Sequence, residues 1–410
     1  MVTQHQREKL DEIHSYLEDG YRRIVLQGSA GVGKTYLVNT LLDELGRTGA
    51  YVTAPTHKAL SVLQSKIDNN EDGDIQFKTI HSALSLKMDI TPQGKKVFVQ
   101  KINRRYPPFR GCKVLIIDEA SMLDSKLIGH LKDYDFPIVF IGDNKQINPV
   151  NEESSPIFNM NYPTIELTEI IRQGRGNPII DLSRDLKRIW EYKPDFIEQE
   201  DNRLGFLYTT ERQKIINKLA EVNGTDELKY LAWTNNEVDI MNQSVRHAIY
   251  GDNPALVEVG ETLVFNRGYS TTDKDYFNNE ELLVASVDIG EKSYSIDLMT
   301  KFKFKVYLVN EGIPVIHEES IGYFKQSLRV VKAMAINKTI EWIDYYKFME
   351  TFADFKYNHA LTVHKSQGST YKDVIMNVKD ISRNRKKEEK QRLFYTGITR
   401  ASNLLILYNV

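Results

Sequence analysis

The run Gly28-Ser29-Ala30-Gly31-Val32-Gly33-Lys34-Thr35 has the G-x-x-x-x-G-K-[ST] spacing of a phosphate-binding turn. Its glycines, Gly28, Gly31 and Gly33, permit a tight turn. Successive backbone N–H groups and the positive end of the following helix then face an anion. Lys34 would sit on the β/γ-phosphates of a nucleoside triphosphate and the Thr35 hydroxyl on Mg²⁺. Hydrolysis also needs a completed metal shell, an oriented water and charge relief on the γ-phosphate. Asp118 and Glu119 offer the first two, Asp118 as a metal ligand and Glu119 as the group that orients or deprotonates the water. Gln146 can bond both a γ-phosphate oxygen and that water. Arg172 and Arg400 are candidate arginine fingers, because a guanidinium fork matches the oxygens that gain charge. Taken singly, Asp118 also reads as a helix cap and either arginine as a surface residue.

The flanking patterns predict an open α/β sheet. Ile24 and Val25 read as a buried strand entering the turn, and Leu37, Val38, Leu41 and Leu42 as the helix leaving it. Leu10, Ile13 and Leu17 predict a preceding helix. Tyr51 to Ala54 predicts a second strand, followed by a helix through Leu60 and Leu63. The apolar runs Lys113 to Ile117 and Pro137 to Ile141 fit strands buried on both faces, and each ends in polar residues, Asp118-Glu119 and Gly142-Asp143-Asn144-Lys145-Gln146. Open α/β sheets bind ligands at such carboxyl ends. After Ile165 to Thr168, the spacer Gly174-Arg175-Gly176 predicts the boundary between two halves.

The second half predicts helix near Ile179 to Trp190, a strand from Tyr230 ending at Thr234 and Asn235, and a helix through Val238, Met241 and Val245. Alternation between about Gly251 and Ile321 predicts an inserted small β domain. Thr339 to Tyr357 predicts a return to helix, with Ile343, Tyr346, Phe352 and Phe355 packing into a core rather than forming a nucleic-acid platform. The charge run Arg383 to Arg392 reads as a solvated helix face.

Composition narrows the class. With 410 residues, 41% hydrophobic and 27% charged, the chain has material for two or more globular cores. No apolar run approaches the roughly 18 residues of a membrane helix. A polar N-terminus and a single cysteine, Cys112, predict a reducing, cytosolic setting. Net charge of −2 gives no argument for a nucleic-acid partner, so any such surface is local. Ile90 to Ile117 contains no acidic residue, but it carries Lys95, Lys96, Lys101, Arg104, Arg105, Arg110 and Lys113 with Phe98, Tyr106 and Phe109 interleaved. That mixture suits a polyanion, or a basic surface hairpin with ordinary core aromatics.

In order along the chain, nine segments resemble motifs of the superfamily 1 DNA helicases, specifically the RecD-like group with its compact phage members. Thr3 to Gln6 resembles the Q motif, Gly28 to Thr35 motif I, and Ala54-Pro55-Thr56-His57 motif Ia. Thr79-Ile80-His81-Ser82 resembles the next DNA-contacting motif, Asp118-Glu119 motif II, and Gly142 to Gln146 motif III. Leu167 to Arg172 resembles motif IV, Thr362 to Gly368 motif V, and Tyr395 to Arg400 motif VI. Asn148-Pro149-Val150 departs from relatives that carry two prolines there.

The resemblance implies two RecA-like P-loop NTPase lobes with ATP and Mg²⁺ in the cleft between them. It assigns 1–83 and 111–166 to the first lobe and 84–110 to a β-hairpin pin that splits duplex. It assigns 167–250 and 352–410 to the second lobe and 251–351 to an SH3-like insertion. Gln6 would recognise the base, and Arg172, Gln367 with Gly368, and Arg400 would act from the second lobe. Pro55, His57, Thr79, His81, Thr234, Asn235, Thr362, His364 and Lys365 match contact positions for single-stranded DNA, and Phe98 could stack on a base at the fork. The implied activity is ATP-dependent unwinding of fork DNA, 5′-to-3′, by a monomer away from membranes, with single-strand-binding or replisome proteins as possible partners in replication, recombination or repair. Two other readings stay open: a DNA-dependent translocase that remodels protein–DNA complexes without unwinding, and a small-molecule P-loop kinase.

Overall fold

The computed structural model describes residues 2–67, 75–103, 105, 107–150, 152–169, 177–191, 205–225, 227–296, 300–310 and 312–410. Its first half is built on a six-stranded parallel sheet in the spatial order Gln76–Thr79, Ala50–Ala54, Val114–Ile117, Ile138–Gly142, Arg23–Gly28, Thr164–Leu167. The inner strands are largely apolar on both sides, as a sheet sandwiched by helices requires, while the edge strands Gln76–Thr79 and Thr164–Leu167 carry polar residues. Ile24, Leu26, Ile116 and Val139 pack on one face with Leu10, Ile13, Val38 and Leu41 of the helices Gln4–Glu18 and Lys34–Leu45. Val25, Leu115, Ile117 and Phe140, one residue out of phase, pack on the other face.

The second half repeats the design with five parallel strands, ordered Ala360–Thr362, Leu228–Ala232, Tyr371–Asn377, Ala401–Tyr408, Gly205–Thr209. Leu231, Met376 and Leu405 face one core, and Tyr230, Ile375 and Ile406 the other. The expected pair of α/β lobes is therefore present. No helix among the described residues is long and apolar enough to cross a membrane. The Gly174-Arg175-Gly176 spacer and Arg172 lie outside the described residues, as do Arg104 and Tyr106 of the basic stretch.

Two β-rich excursions leave the lobes. Leu86–Ile90 and Lys96–Gln100 form an antiparallel hairpin. Between the helix Asn235–Tyr250 and the strand Ala360–Thr362, Thr262–Phe265 pairs with Glu281–Leu283 and Phe355–Tyr357, while Val287–Ser295, Lys301–Val309 and Ile313–Ile316 form a second antiparallel sheet.

Here the helix expected over Thr339 to Tyr357 is shorter, Trp342–Met349, because Phe355–Tyr357 is drawn into the sheet beside Thr262–Phe265. A longer helix not anticipated from the sequence, Glu318–Ile336, lies over the sheet, with Phe324, Leu328 and Val331 packed against Phe304 and Phe348. Of the four residues expected on one packing face, Phe352 is core and Phe355 packs in the neighbouring cluster. Ile343 is exposed, and the Tyr346 hydroxyl leaves the domain to donate to Gly94 O at 2.7 Å.

Candidate active site and strand path

The carboxyl ends of both sheets open on one cleft of about 1470 Å³. From the first lobe it is lined by Gly31, Gly33, Lys34, Thr35, Asp118, Glu119 and Gln146, and from the second by Gly368, Thr399 and Arg400. The phosphate turn is shaped by conformation. Gly31 (φ 86°) and Gly33 (φ 78°) take left-handed backbone, and a Cβ on Gly28 would stand 2.8 Å from Val32 Cγ2. Gly33 ends the turn as the N-cap of the helix Lys34–Leu45, leaving that helix's first N–H groups directed at the cleft. The Lys34 ammonium donates to Gly28 O at 2.7 Å and Ser29 O at 3.0 Å.

Asp118 leaves the strand Val114–Ile117 with its N–H on Thr53 O at 2.9 Å. Burial raises its carboxyl to about 6, with the Glu119 charge adding to the rise and Lys34 opposing it. A carboxylate so disfavoured as an anion is suited to a cation beside it. Glu119 takes a left-handed conformation at φ 50° and ψ 37°, rare for a residue that is neither glycine nor asparagine. Such strain persists only where the surroundings over-determine it. Gln146 is buried, and its Oε1 has no partner among the described residues.

On the opposite wall, three acceptors of the second lobe hold the Arg400 guanidinium: Thr396 O at 3.1 Å, Ser369 O at 2.9 Å and Thr399 Oγ1 at 3.2 Å. The lobes also touch directly. Gly368, at φ +74°, approaches Ala59 so closely that a Cβ on it would lie 2.9 Å from Ala59 Cβ. Gln367 Nε2 donates to Ile147 O at 3.2 Å, which places Gln367 as a bridge between lobes and outside the cleft lining.

Two further bridges were not legible beforehand. The Tyr395 hydroxyl donates to Asp143 Oδ2 at 2.5 Å and receives the Ala30 N–H at 3.4 Å, so it links the phosphate turn to the Gly142–Gln146 segment. Arg392, read as part of a solvated charge run, donates instead to Asn144 O and to Gln146 O at 2.8 Å. Gln6 is buried in a capping box with Thr3, its Oε1 accepting the Thr3 N–H while its Nε2 has no partner among the described residues, and it is not in the cleft lining.

The expected strand contacts lie where sheet strands turn into helices. Thr56 and Thr234 follow such a strand, Thr79 and Thr362 end one, and each caps the next helical turn with its hydroxyl. In register, Ala54 sits opposite Thr79, and Ala232 opposite Thr362. Pro55 and His57 flank Thr56. Asp380, bonded to the N–H groups of Trp233 and Thr234, fixes the turn that bears Asn235. Burial pushes the imidazoles of His57, His81 and His364 below their ordinary value, so all three are neutral at pH 7. Lys365, pushed down to about 8 by burial and then by Lys356, donates to Asn266 Oδ1 at 3.0 Å. At the hairpin, exposed Phe98 lies 5.0 Å from the His81 ring.

A family model described as an AAA domain matches residues 1–191, and one described as a UvrD-like helicase C-terminal domain matches residues 357–408. The chain is 29% identical to the ATP-dependent DNA helicase dda of Enterobacteria phage T4, over 97% of each chain. It is 28% identical to an uncharacterized protein of Acanthamoeba polyphaga mimivirus, over 95% of each. In fold it resembles the Pif1 helicase from Bacteroides in complex with ADP-AlF3 and ssDNA, with a TM-score of 0.53 at 16% identity over 98% of this chain and 92% of that one.

Proposed function

We propose that this chain, which belongs to the superfamily 1 helicases, is an ATP-dependent DNA helicase that moves along single-stranded DNA and unwinds duplex. The observation that carries the reading is the composite cleft, in which the phosphate turn, Asp118, Glu119 and Gln146 face Arg400 of the other lobe. Thr35 and Asp118 fit Mg²⁺. Among the described residues no three His, Cys, Asp or Glu side chains gather to hold a metal alone, and Mg²⁺ is held by one or two protein oxygens plus phosphate. Bound there with ATP, the ion would neutralise charge on the β/γ-oxygens.

Lys34 exchanges its two carbonyl acceptors for phosphate oxygens, and Glu119 orients the water and takes its proton. Gln146, whose Oε1 has no partner among the described residues, holds the water from the side, and Arg400 meets the charge that develops on the γ-phosphoryl group. Arg172 is assigned the companion role and Gln6 the base contact on the resemblance. Loss of the γ-phosphate removes the contact that draws the lobes together. Because neutral caps and histidines line the proposed strand path on both lobes, alternating closure moves a backbone gripped without sequence reading.

We read 84–110 as the strand-splitting pin and 251–351 as an SH3-like insertion of the second lobe. The hairpin's bracing favours unwinding over translocation alone. Gly94 at its tip lies against Trp342, where a Cβ would come within 2.5 Å of the indole. Lys96 Nζ pairs with Glu350 at 2.6 Å, and Tyr346 bonds Gly94. A pin held at its tip by a second part of the chain can bear load. The small-molecule kinase reading leaves the two-lobe strand path without purpose. Strand displacement from duplexes carrying a single 5′ or 3′ tail tests the reading, with ATP-driven unwinding expected from the 5′ tail. DNA-stimulated ATP turnover without strand separation on either substrate would make the protein a translocase.

A further inference from the structure

The inserted β region belongs in sequence to the second lobe, yet one of its loops lies on the first. The loop follows the short strands Tyr269–Ser270 and Asp275–Tyr276 and leads into Glu281–Leu283. Its Phe277 ring stacks on His57 with centroids 3.8 Å apart and planes 18° from parallel. Beside that stack, Lys58 Nζ pairs with Glu281 Oε1 at 3.1 Å. Both contacts border a groove of about 1070 Å³ that is also lined by Ser61, Gln64, Lys274 and Asn278. A narrower cleft also borders the ion pair, where Lys58 and Glu281 meet Asn235, Thr362 and Lys365. The proposed strand path therefore runs under this loop.

Phe277 is 44% exposed, so core burial does not explain its place. The loop that holds it is braced by hydrogen bonds within itself and to the strand Thr262–Phe265. Phe277 N–H donates to Glu280 Oε2 at 2.8 Å, Glu280 N–H to Phe277 O at 3.0 Å, and Asn279 N–H to Phe265 O at 2.8 Å. An exposed aromatic ring is thus presented at a set angle to an imidazole in a DNA-contacting motif.

We propose that His57 and Phe277 are the two walls of a slot for one nucleobase of single-stranded DNA, closed on each other when no base lies between them. The assignment rests on the reading that single-stranded DNA crosses both lobes. A base enters when the walls part by about 3.4 Å, the spacing of stacked bases. Two new stacked faces then replace one. The Lys58–Glu281 pair, partly exposed at 26% and 34%, adds little resistance to parting. Every base has a π-face, so the slot is sequence-tolerant, as a motor on DNA requires. A base held there also tethers the insertion of one lobe to the other lobe across the strand.

The test uses the full chain and oligodeoxythymidylate carrying 2-aminopurine at successive positions, with binding read by anisotropy and stacking by 2-aminopurine emission at saturating protein. Quenching should peak at one position, disappear there in Phe277→Ala and in His57→Ala, and survive in Phe277→Trp. Base stacking on an aromatic exceeds the aromatic pair it replaces by a modest margin, so Phe277→Ala should bind roughly threefold to tenfold more weakly. A Phe277→Ala emission profile that superimposes on wild type overturns the slot, as does tighter binding with an unchanged profile, which would make Phe277 a plug. No anisotropy change for the wild-type chain would overturn the DNA reading itself.

Discussion

Gly368→Ala probes the join between the lobes. The added Cβ would stand 2.9 Å from Ala59 Cβ and 3.6 Å from Ala59 Cα, neither of which a rotamer can move. Ordinary contact at 3.4–4 Å requires the lobes to separate by about 0.5–1 Å. The left-handed backbone at φ +74° costs a non-glycine residue a further ~1–2 kcal/mol. Arg400 rides on the same lobe as Gly368, while Lys34, Thr35 and Glu119 ride on the other. A misplacement of about 1 Å between reacting groups costs on the order of 100-fold in rate. Steady-state ATP turnover with saturating single-stranded DNA should fall by that order, while a fluorescent nucleotide binds the first lobe with little change. Ala59→Gly removes the opposing methyl and should restore about tenfold of the loss in the double variant, less the roughly 1 kcal/mol that glycine costs the helix His57–Lys66. Wild-type turnover in Gly368→Ala, or no recovery in the double variant, would refute the steric argument.

Glu119→Gln should bind ATP and single-stranded DNA normally and hydrolyse ATP at least about 100-fold more slowly, the usual share of a general base. Single-turnover hydrolysis measures it, and Lys34→Ala should abolish turnover outright. Tyr395→Phe strips Asp143 of its cross-lobe donor, a charge-assisted bond of about 1.5–3 kcal/mol, and should uncouple the lobes. The expected signs are a lowered DNA-stimulated rate and a smaller change in DNA-free turnover; equal falls in both would contradict the coupling role.

His359, buried near Lys229 and Arg246, has its pKa pushed down to about 4, first by burial and then by those charges. The unfolded chain takes up that proton near pH 6.5. Stability is therefore full above about pH 6.5 and falls by about 3 kcal/mol as pH drops toward 4. Urea midpoints across that window should show the slope, and His359→Gln should flatten it.

Much of the architecture could be read before any coordinates, because parallel strands buried on both faces leave unbroken apolar runs. Val114–Ile117 and Ile138–Gly142 are such runs, and of the polar residues after them Asp118, Glu119 and Gln146 line the cleft. What escaped depends on partners far away in sequence. Arg392 looks like any member of a charged helix face until Asn144 and Gln146 lie beside it. Tyr395 sat inside a recognised motif with no visible task, and Asp143 supplies one. Phe355–Tyr357 carries a helix-compatible pattern but joins a sheet, since an unpaired strand edge at Thr262–Phe265 outweighs local preference. The left-handed backbone at Glu119 has no signature in an Asp-Glu pair.

The central claim is that catalysis is completed across the cleft by the second lobe. Its most direct test is ATP turnover of Arg400→Ala with and without single-stranded DNA, alongside nucleotide affinity. The account predicts nucleotide affinity near wild type and a loss of about 10³-fold or more in the DNA-stimulated rate, the share of an arginine finger. A rate within a few-fold of wild type would contradict it.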